Sequence, residues 1–304
     1  MSSLPDTLET QRTWADTLRL YLDITRPKVM ALVVFTGLPA LLLGQPEWPT
    51  LSRTFWVLLG TAFAGGASSA FNAYLERESD ARMARTRNRP LPAAALLPRV
   101  VIGYGVLLTV ASTAVLWWVG GVAAALIALA TIVFYVGVYT AWLKPRTPQN
   151  IVIGGAAGAT APLIASAAMD GNVTLGAWIL FAIVFLWTPP HFWAVAIFRK
   201  REYEAAGFPM MPSVVGDQPT RWRSLAYTVA LVIVTLAPTW LGYLGPLYTL
   251  AAVTLGIWFL WLVVRSILGQ RAVLDYRVFK GSVGYLSLLF MAMLIDLAIP
   301  WGST

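Results

Sequence analysis

Residues 71–92 of the chain read FNAYLERESDARMARTRNRPLP and lie between two long apolar stretches. This segment contains three acidic residues and five arginines, although only 12% of the whole chain is charged. Asn72, Glu76 and Asp80 follow one another at intervals of four residues. Because four residues are slightly more than one helical turn, their side chains would share one face of a helix. The segment therefore predicts a row of oxygen ligands at the end of an apolar helix.

Such a row favours a bound cation. Two carboxylates on adjacent helical turns repel each other, and a divalent cation between them would turn this repulsion into binding. Carboxylate and amide oxygens suit Mg²⁺, which usually shares its coordination shell with a substrate phosphate. Arginines follow directly, and guanidinium groups match phosphate oxygens. We therefore expect a Mg²⁺-diphosphate site here. The plainer alternative is a solvated loop whose arginines only set the orientation of the chain in a membrane.

The rest of the chain is strongly apolar. Of its 304 residues, 58% are hydrophobic, and the mean hydropathy is +0.68. Because soluble domains carry about 25% charged residues, this composition predicts an integral membrane protein. The sequence contains no cysteine, which excludes disulfides and thiolate chemistry within it. The net charge of +8 resides in short links between apolar stretches, which favours membrane orientation over nucleic-acid binding.

Nine apolar stretches each approach the ~20 residues that cross a bilayer. They cover residues 28–44, 54–75, 99–119, 121–142, 149–169, 175–197, 223–243, 246–267 and 281–300. With the N-terminus inside, 21 of the 22 Lys and Arg residues fall on the inner side, and Arg53 is the exception. We therefore predict an all-α polytopic membrane protein with nine transmembrane helices. Its N-terminus and long polar loops would be cytoplasmic and its C-terminus outside.

The chain shows no linker and no low-complexity segment, so residues 1–304 are predicted to form one domain. Within it, residues 1–27 would form a cytoplasmic N-terminal segment. Residues 8–22 of that segment have the pattern of an amphipathic helix, with Trp14, Leu18 and Leu22 on one stripe. Such a helix is expected to lie on the membrane surface.

A second polar cluster covers residues 187–212, WTPPHFWAVAIFRKREYEAAGFPMMP. Pro189 and Pro190 remove two backbone donors, which predicts a bend or break in the sixth span. His191, the only histidine, would lie about 12 Å inside the interface marked by Arg199. A titratable side chain at that depth is a functional candidate. It could bind the iron of a metalloporphyrin or act as acid or base, whereas the plainer alternative is a neutral histidine that hydrogen-bonds within the bundle.

Other polar residues give weaker signals. Glu202 could add a carboxylate to the cation site or be ordinary interfacial charge, and the tract 208–211 could cap the site. Arg26, Lys144 and Arg199 could bind phosphate or simply belong to basic inner loops. The glycines Gly154, Gly155 and Gly158 predict close helix packing. Asp296, near the outer end of the last span, is predicted to be structural.

Together, these stretches resemble a known family. The pattern N-x-x-x-[DE]-x-x-x-D over residues 72–80, with the following TRNRPL, resembles the first Asp-rich motif of UbiA-type intramembrane prenyltransferases. The PHFW, EYEAAG and PMMP sequences of the second cluster resemble one branch, the protohaem IX farnesyltransferases or haem O synthases. The opening Thr25-Arg26-Pro27-Lys28 also fits, and the likeness covers roughly residues 20–300. Two features depart from the pattern: glutamate replaces the frequent aspartate at 76 and 202, and Phe198 stands where many relatives have a second acid.

The resemblance implies a reaction and its participants. Farnesyl diphosphate would bind with its diphosphate at the inner face, and the farnesyl group would pass to the 2-vinyl group of protohaem IX (haem b), giving haem O after capture of water. Catalytic roles fall on Asn72, Glu76, Asp80, His191 and Glu202. The metal, Mg²⁺, would be held by Asn72, Glu76, Asp80 and Glu202. The diphosphate would be bound by Arg26, Arg85, Arg89, Lys144 and Arg199.

The resemblance also implies a membrane location and a partner protein, and two other functions are alternatives to it. The expected location is the cell (inner) membrane, with the lipid bilayer around the bundle and the active site facing the cytoplasm. Haem A synthase or an oxidase-assembly protein is the implied partner, and no nucleic acid is expected. A UbiA-type enzyme that prenylates an aromatic acceptor such as 4-hydroxybenzoate is the nearest alternative. A polyanion transporter is the alternative from another class, although short, nearly uncharged outer links argue against it.

Overall fold

The described part of the chain is helical throughout. The computed structural model describes residues 13–45 and 47–300, and no β-strand occurs among them. The helices are α1 (Trp14–Thr25), α2 (Pro27–Leu42), α3 (Leu51–Arg82), α4 (Pro98–Val133), a π-helix (Phe134–Leu143), α5 (Asn150–Gly158), α6 (Ala161–Asp170), α7 (Leu175–Phe198), α8 (Lys200–Ala205), α9 (Met211–Val215), α10 (Asp217–Thr235), α11 (Ala237–Trp240), α12 (Pro246–Gly269) and α13 (Ala272–Ala298). The all-α prediction is confirmed.

Several of these helices are long and apolar enough to cross a bilayer. Seven such spans occur among residues 13–45 and 47–300, and α1 with α2, bent by 55°, would make an eighth. One span, Pro98–Leu143, has 46 residues, or about 69 Å at 1.5 Å per residue. Gly121 interrupts it with φ 77° and ψ −177°, where the sequence predicted a turn between two crossings. The chain is a multi-pass membrane protein, and the count of nine stays a prediction.

The bundle presents apolar side chains outward and small residues inward. Trp118 on α4, for example, is 72% exposed, as expected where lipid replaces water. Inside, α3 packs on α4 so closely that a Cβ on Gly60 would lie 2.7 Å from the Leu116 side chain. Ser112 donates a hydrogen bond to the Gly60 carbonyl oxygen at 2.7 Å. Small residues and interhelical hydrogen bonds are the usual basis of helix association in membranes.

Of the bend or break predicted at Pro189 and Pro190, the break does not occur, and a break occurs elsewhere. α7 continues through Pro189 and Pro190, which are both buried, because the neighbouring helices α10, α13 and α5 pack along it and hold it. The span predicted as continuous over 149–169 is instead divided into α5 and α6 at Ala159 and Thr160. Pro162 lies in the first turn of α6 and has no amide hydrogen to continue the helix of α5.

Helix α10 begins earlier than predicted. It starts at Asp217, whereas the predicted span starts at 223. The polar residues of its first turns lower the local hydropathy, so the apolar pattern did not include them. Arg221 is nevertheless buried, since its Nη2 lies 2.6 Å from the Asp275 carboxylate of α13. The Ser266 hydroxyl of α12 donates to the same carboxylate at 2.5 Å. These hydrogen bonds join the start of α10, the end of α12 and the start of α13.

The N-terminal helix is amphipathic, as predicted over 8–22, although residues 8–12 lie outside the described part. α1 begins with a capping box between Thr13 and Asp16 and ends at Arg26, which has the left-handed φ of 53°. Trp14, Leu18 and Leu22 are all exposed on its surface. The bend at Arg26 separates this helix from α2 and brings Arg26 to Asn72 of α3.

The predictions for Gly154, Gly155 and Asp296 are confirmed, and the prediction for Gly158 is wrong. A Cβ on Gly154 would lie 2.1 Å from the Tyr139 ring, and one on Gly155 would lie 2.8 Å from Thr188, whereas one on Gly158 would meet nothing within 4 Å. Close packing therefore holds for the first two glycines only. The Asp296 carboxylate accepts hydrogen bonds from the backbone amides of Gly245 and Tyr248 at the start of α12, a structural role.

Candidate functional site

The C-terminal part of α3 carries the predicted oxygen ligands on one buried face. Asn72 is 1% exposed, Glu76 is 6% exposed and Asp80 is 1% exposed. All three lie in one unbroken helix, Leu51–Arg82, so their four-residue spacing places them along its axis as predicted. Buried carboxylates need a compensating charge, and each of these two has one.

The first two ligands are bonded to basic residues from other elements. Arg26, at the bend between α1 and α2, donates from Nη2 to the Asn72 side-chain oxygen at 2.8 Å. The amide nitrogen of Asn72 donates to the Thr140 hydroxyl at 3.2 Å, which fixes the amide orientation. The Lys144 ammonium forms an ion pair with the Glu76 carboxylate. Two residues predicted to bind diphosphate therefore contact residues predicted to bind metal.

Asp80 is bonded to the loop that follows α3. The Thr86 hydroxyl donates to the Asp80 carbonyl oxygen at 2.7 Å, which turns the loop back towards the helix. Arg89 then donates from Nη1 to the Asp80 carboxylate at 2.7 Å, while the other carboxylate oxygen is buried without a partner. Burial, followed by the positive charge of Arg26, lowers the pKa of the Arg89 guanidinium, and Arg85 adds a smaller effect of the same sign. Three predicted phosphate-site residues, Arg26, Arg89 and Lys144, thus contact side chains of α3, whereas Arg85 is exposed.

A π-helix, which the sequence reasoning missed, positions the third side of the site. In it the Thr140 hydroxyl donates to the Tyr135 carbonyl oxygen at 2.9 Å, and the Lys144 amide donates to the Tyr139 carbonyl oxygen at 2.9 Å. The wider turn directs Thr140 towards Asn72. π-helical turns are rare in proteins, and those that occur are often found at functional sites. The sequence signal available for this part of the site was the presence of polar residues in the apolar span that leads to Lys144.

The second cluster contributes a cap rather than a demonstrated ligand. The Phe208 ring lies 4.9 Å from the Lys144 ammonium, and Phe208 shares a hydrophobic cluster with Met83, which follows α3. This contact agrees with the prediction that the tract 208–211 could cap the site. Glu202, on the short helix α8, is 33% exposed and pairs with Arg199 at 3.0 Å. Within the described ranges, no hydrogen bond joins Glu202 to Asn72, Glu76 or Asp80.

His191 is buried in the middle of the bundle. Its Nδ1 lies 2.7 Å from the Ser282 hydroxyl oxygen, and its ring stacks on Trp187 with centroids 4.2 Å apart. Ser282 was not identified from the sequence, because one serine in an apolar span carries little signal. The hydrogen bond agrees with the plainer interpretation of His191, and it leaves the other ring nitrogen free for a second role.

A cavity of about 790 Å³ extends from Arg26 to His191. Arg26 and Tyr139 belong to its wall near the α3 site, and His191 and Phe279 belong to its wall deeper in the bundle. Most other wall residues are apolar and come from α2, α5, α7 and α13. A charged substrate with a long apolar tail fits such a space, since one end is basic and the remainder excludes water.

The α3 site fits a hard divalent cation. Its donors are carboxylate and amide oxygens, and the unpartnered Asp80 oxygen is an acceptor that needs a partner. Across residues 13–45 and 47–300, no three Asp, Glu, His or Cys side chains cluster closely enough to hold a metal by themselves. Mg²⁺ binding would therefore use the Asn72 amide oxygen or substrate phosphate oxygens as well, which is how Mg²⁺ usually binds.

Comparison with known proteins agrees with this geometry. The sequence model of the UbiA prenyltransferase family matches residues 33–294. A protoheme IX farnesyltransferase from Alkalilimnicola ehrlichii is 46% identical over 290 residues, which cover 94% of each chain. A solved structure of digeranylgeranylglyceryl phosphate synthase has a TM-score of 0.77 at 17% identity, covering 93% of this chain and 99% of the other.

A second solved structure belongs to a UbiA homologue from Archaeoglobus fulgidus bound to DMAPP and Mg²⁺. Its TM-score is 0.65 at 16% identity, and it covers 90% of this chain and 99% of its own. At such identities the structural likeness establishes the fold, while the family match and the closer relative extend over most of the sequence. The chain therefore belongs to the UbiA prenyltransferase family.

Proposed function

We propose that this membrane prenyltransferase transfers the farnesyl group of farnesyl diphosphate to the 2-vinyl group of protohaem IX and so makes haem O. The observation that supports this most directly is the cavity that extends from Arg26, which is hydrogen-bonded to Asn72 of α3, to His191. The 46% identical relative carries the name of this activity. A prenyl diphosphate and a large apolar acceptor are the two substrates such a cavity suits.

The proposed diphosphate site uses the ion pairs described above. Arg26, Lys144 and Arg89 already lie against the α3 ligands, so small side-chain rotations would bring them to phosphate oxygens. Arg85 and Arg199 complete the proposed set of bases. Their positive charges would stabilise the diphosphate as negative charge develops on it.

The proposed metal ligands are Asn72, Glu76 and Asp80, with Glu202 as a fourth. The role of bound Mg²⁺ would be to neutralise charge on the departing diphosphate. Asn72 is held in register by Thr140, and the buried positions of Glu76 and Asp80 keep their carboxylates preorganised.

The proposed reaction adds the farnesyl group and the oxygen of a water molecule to one vinyl group of haem b. The carbon–oxygen bond of farnesyl diphosphate breaks and the diphosphate leaves with the electron pair. The vinyl group of haem b supplies the electrons of the new carbon–carbon bond. Water then adds to the benzylic-type cation on the former vinyl carbon and loses a proton, which gives a hydroxyethylfarnesyl side chain. The apolar cavity wall would keep water from the first cation.

We further propose a membrane location, an orientation and a partner protein for this enzyme. The chain would form one domain in the cell (inner) membrane, with residues 1–27 and the active site in the cytoplasm and the C-terminus outside. The charge distribution of the inner and outer links supports this orientation. Haem A synthase or an oxidase-assembly protein would receive the product.

An acceptor competition tests the proposed function. Purified protein is incubated with farnesyl diphosphate, Mg²⁺ and equal concentrations of haem b and 4-hydroxybenzoate, and both products are quantified by mass spectrometry. We expect farnesylated haem and no farnesylated hydroxybenzoate. Prenylation of hydroxybenzoate alone would reject the proposal and favour the aromatic-acceptor alternative.

A further inference from the structure

The hydrogen bonds of Ser282 determine the tautomer of His191. The Ser282 hydroxyl donates to the Phe279 carbonyl oxygen at 2.7 Å, and its oxygen also lies 2.7 Å from His191 Nδ1. A serine hydroxyl has one proton, and a carbonyl oxygen can only accept. Two oxygens 2.7 Å apart repel each other unless a proton lies between them, so the geometry favours the proton in the bond to Phe279. The Ser282 oxygen then accepts from Nδ1–H of His191. In the neutral imidazole, the lone pair is then on Nε2.

The same serine also fixes the orientation of the imidazole ring. The Trp187 indole donates from Nε1 to the Ser282 carbonyl oxygen at 2.7 Å, and the Trp187 and His191 rings are stacked with an interplanar angle of 20°. The Phe279 ring lies 4.8 Å from the imidazole. One turn of α13 thus holds both the imidazole and the aromatic ring on which it stacks.

The free nitrogen of His191 belongs to the cavity. His191 forms part of the cavity wall, and Nε2 has no hydrogen-bond partner in the part of the chain that the structure describes. A neutral imidazole whose other nitrogen donates to an oxygen is the usual form of a metal-binding histidine. The cavity also reaches Arg26, so a molecule held at His191 shares one apolar space with the diphosphate end.

We infer that His191 Nε2 is an axial ligand of the iron of the porphyrin acceptor, and that Ser282 is a positioning residue that keeps this nitrogen unprotonated and correctly oriented. The inference rests on the proposed function, because it requires that a haem enters the cavity. It selects iron ligation over acid–base chemistry for His191, an alternative that the sequence leaves open.

The tautomer can be measured without any substrate. His191 is the only histidine in the chain, so protein labelled with ¹⁵N-histidine and purified without a histidine tag gives a single imidazole in NMR spectra. We expect the proton on Nδ1 in the unmodified protein and a mixed population in Ser282→Ala. Ser112→Ala is the matched control, because Ser112 is equally buried and also donates to a backbone carbonyl. A proton on Nε2 in the unmodified protein would overturn the inference.

Haem titration then tests ligation directly, with ferric haem added to the full chain in nanodiscs without diphosphate. We expect an absorption and EPR spectrum of imidazole-ligated iron, its loss in His191→Gly, and its return when free imidazole is added to that variant. Ser282→Ala should weaken haem binding by about 10- to 100-fold, as removal of a hydrogen bond to a metal ligand typically does. Ser112→Ala should bind haem as the unmodified protein does.

The possible failures are distinguishable. If the unmodified protein binds no haem, the proposed function and this inference fall together. If it farnesylates haem but His191→Gly gives an unchanged spectrum, iron ligation by His191 is wrong and the proposed function stands. If Ser282→Ala binds haem with unchanged affinity and spectrum, Ser282 has no positioning role.

Discussion

The Arg89 guanidinium lies 2.7 Å from one carboxylate oxygen of Asp80, while the second carboxylate oxygen is buried and has no partner among the described residues. A similar pairing joins Lys144 to Glu76. Basic side chains therefore compensate the carboxylates at the positions where a divalent cation is proposed to bind. Binding of Mg²⁺ with a diphosphate would free these bases to contact phosphate, so the same residues serve both arrangements.

Replacing Asp80 by asparagine should abolish most turnover. Asp80→Asn keeps the side-chain shape but removes the charge that attracts both Arg89 and a cation. We expect farnesyl transfer to fall by about 100-fold or more, the usual size of a lost electrostatic contact in a transition state. Glu78→Gln is the control, because Glu78 lies on the same helix with its side chain 78% exposed. Turnover of Asp80→Asn at the rate of the unmodified protein would remove Asp80 from the site.

Replacing Lys144 by methionine should weaken use of farnesyl diphosphate. Lys144→Met removes one positive charge from the proposed phosphate site, and hydrogen bonds to charged groups contribute about 1.5–3 kcal/mol. We expect the KM for farnesyl diphosphate to rise by about 10- to 100-fold, with haem affinity unchanged. Arg146→Met is the control, since Arg146 donates only to backbone carbonyls of Ala141 and Trp142 in the described structure. An unchanged KM in Lys144→Met would contradict its role.

Adding one methyl group at Gly154 should disturb the π-helix. A Cβ there would lie 2.1 Å from the Tyr139 ring, and overpacking of this kind costs about 1–3 kcal/mol. We expect Gly154→Ala to lower both the unfolding temperature and the rate of farnesyl transfer. In Gly103→Ala the new methyl group meets nothing within 4 Å, so its unfolding temperature should not fall. Equal stability of the two variants would show that Tyr139 moves without cost.

Removing Asp275 should destabilise the bundle. Arg221 and Asp275 form a bidentate pair with side chains 6% and 2% exposed, and breaking a buried pair typically costs about 3–5 kcal/mol. We expect Asp275→Ala to lose about that much unfolding free energy in an SDS titration, and Asp275→Leu combined with Arg221→Met to recover much of it.

The exposed pair of Lys200 and Asp217 provides the comparison for that prediction. Its side chains are 32% and 39% exposed, so Lys200→Met should change the unfolding free energy by less than about 1 kcal/mol. If Asp275→Ala is no less stable than Lys200→Met, the buried pair does not hold the helices together.

The sequence predicts those parts of the site that depend on local periodicity. The spacing of Asn72, Glu76 and Asp80 suffices to place them on one face, because α3 is an unbroken helix. The partner of Glu76 lies 68 residues away and depends on the π-helix. A π-helix has no local sequence signature comparable to helical periodicity, so this contact could not be predicted.

Proline shows the limit of local reasoning in a bundle. Pro189 and Pro190 were expected to break α7, but packing on several sides retains the helix. The chain breaks instead between α5 and α6, just before Pro162. Whether proline breaks a helix in this protein therefore depends on its neighbours, which the sequence alone does not reveal.

The most direct test of the central claim is the mass of the haem recovered after reaction in ¹⁸O-labelled water. Purified protein is supplied with haem b, farnesyl diphosphate and Mg²⁺, and the extracted haem is analysed by liquid chromatography and mass spectrometry. The proposed function predicts a haem that carries one farnesyl group and one ¹⁸O atom. Recovery of unmodified haem b from protein that consumes farnesyl diphosphate to prenylate a different acceptor would contradict it.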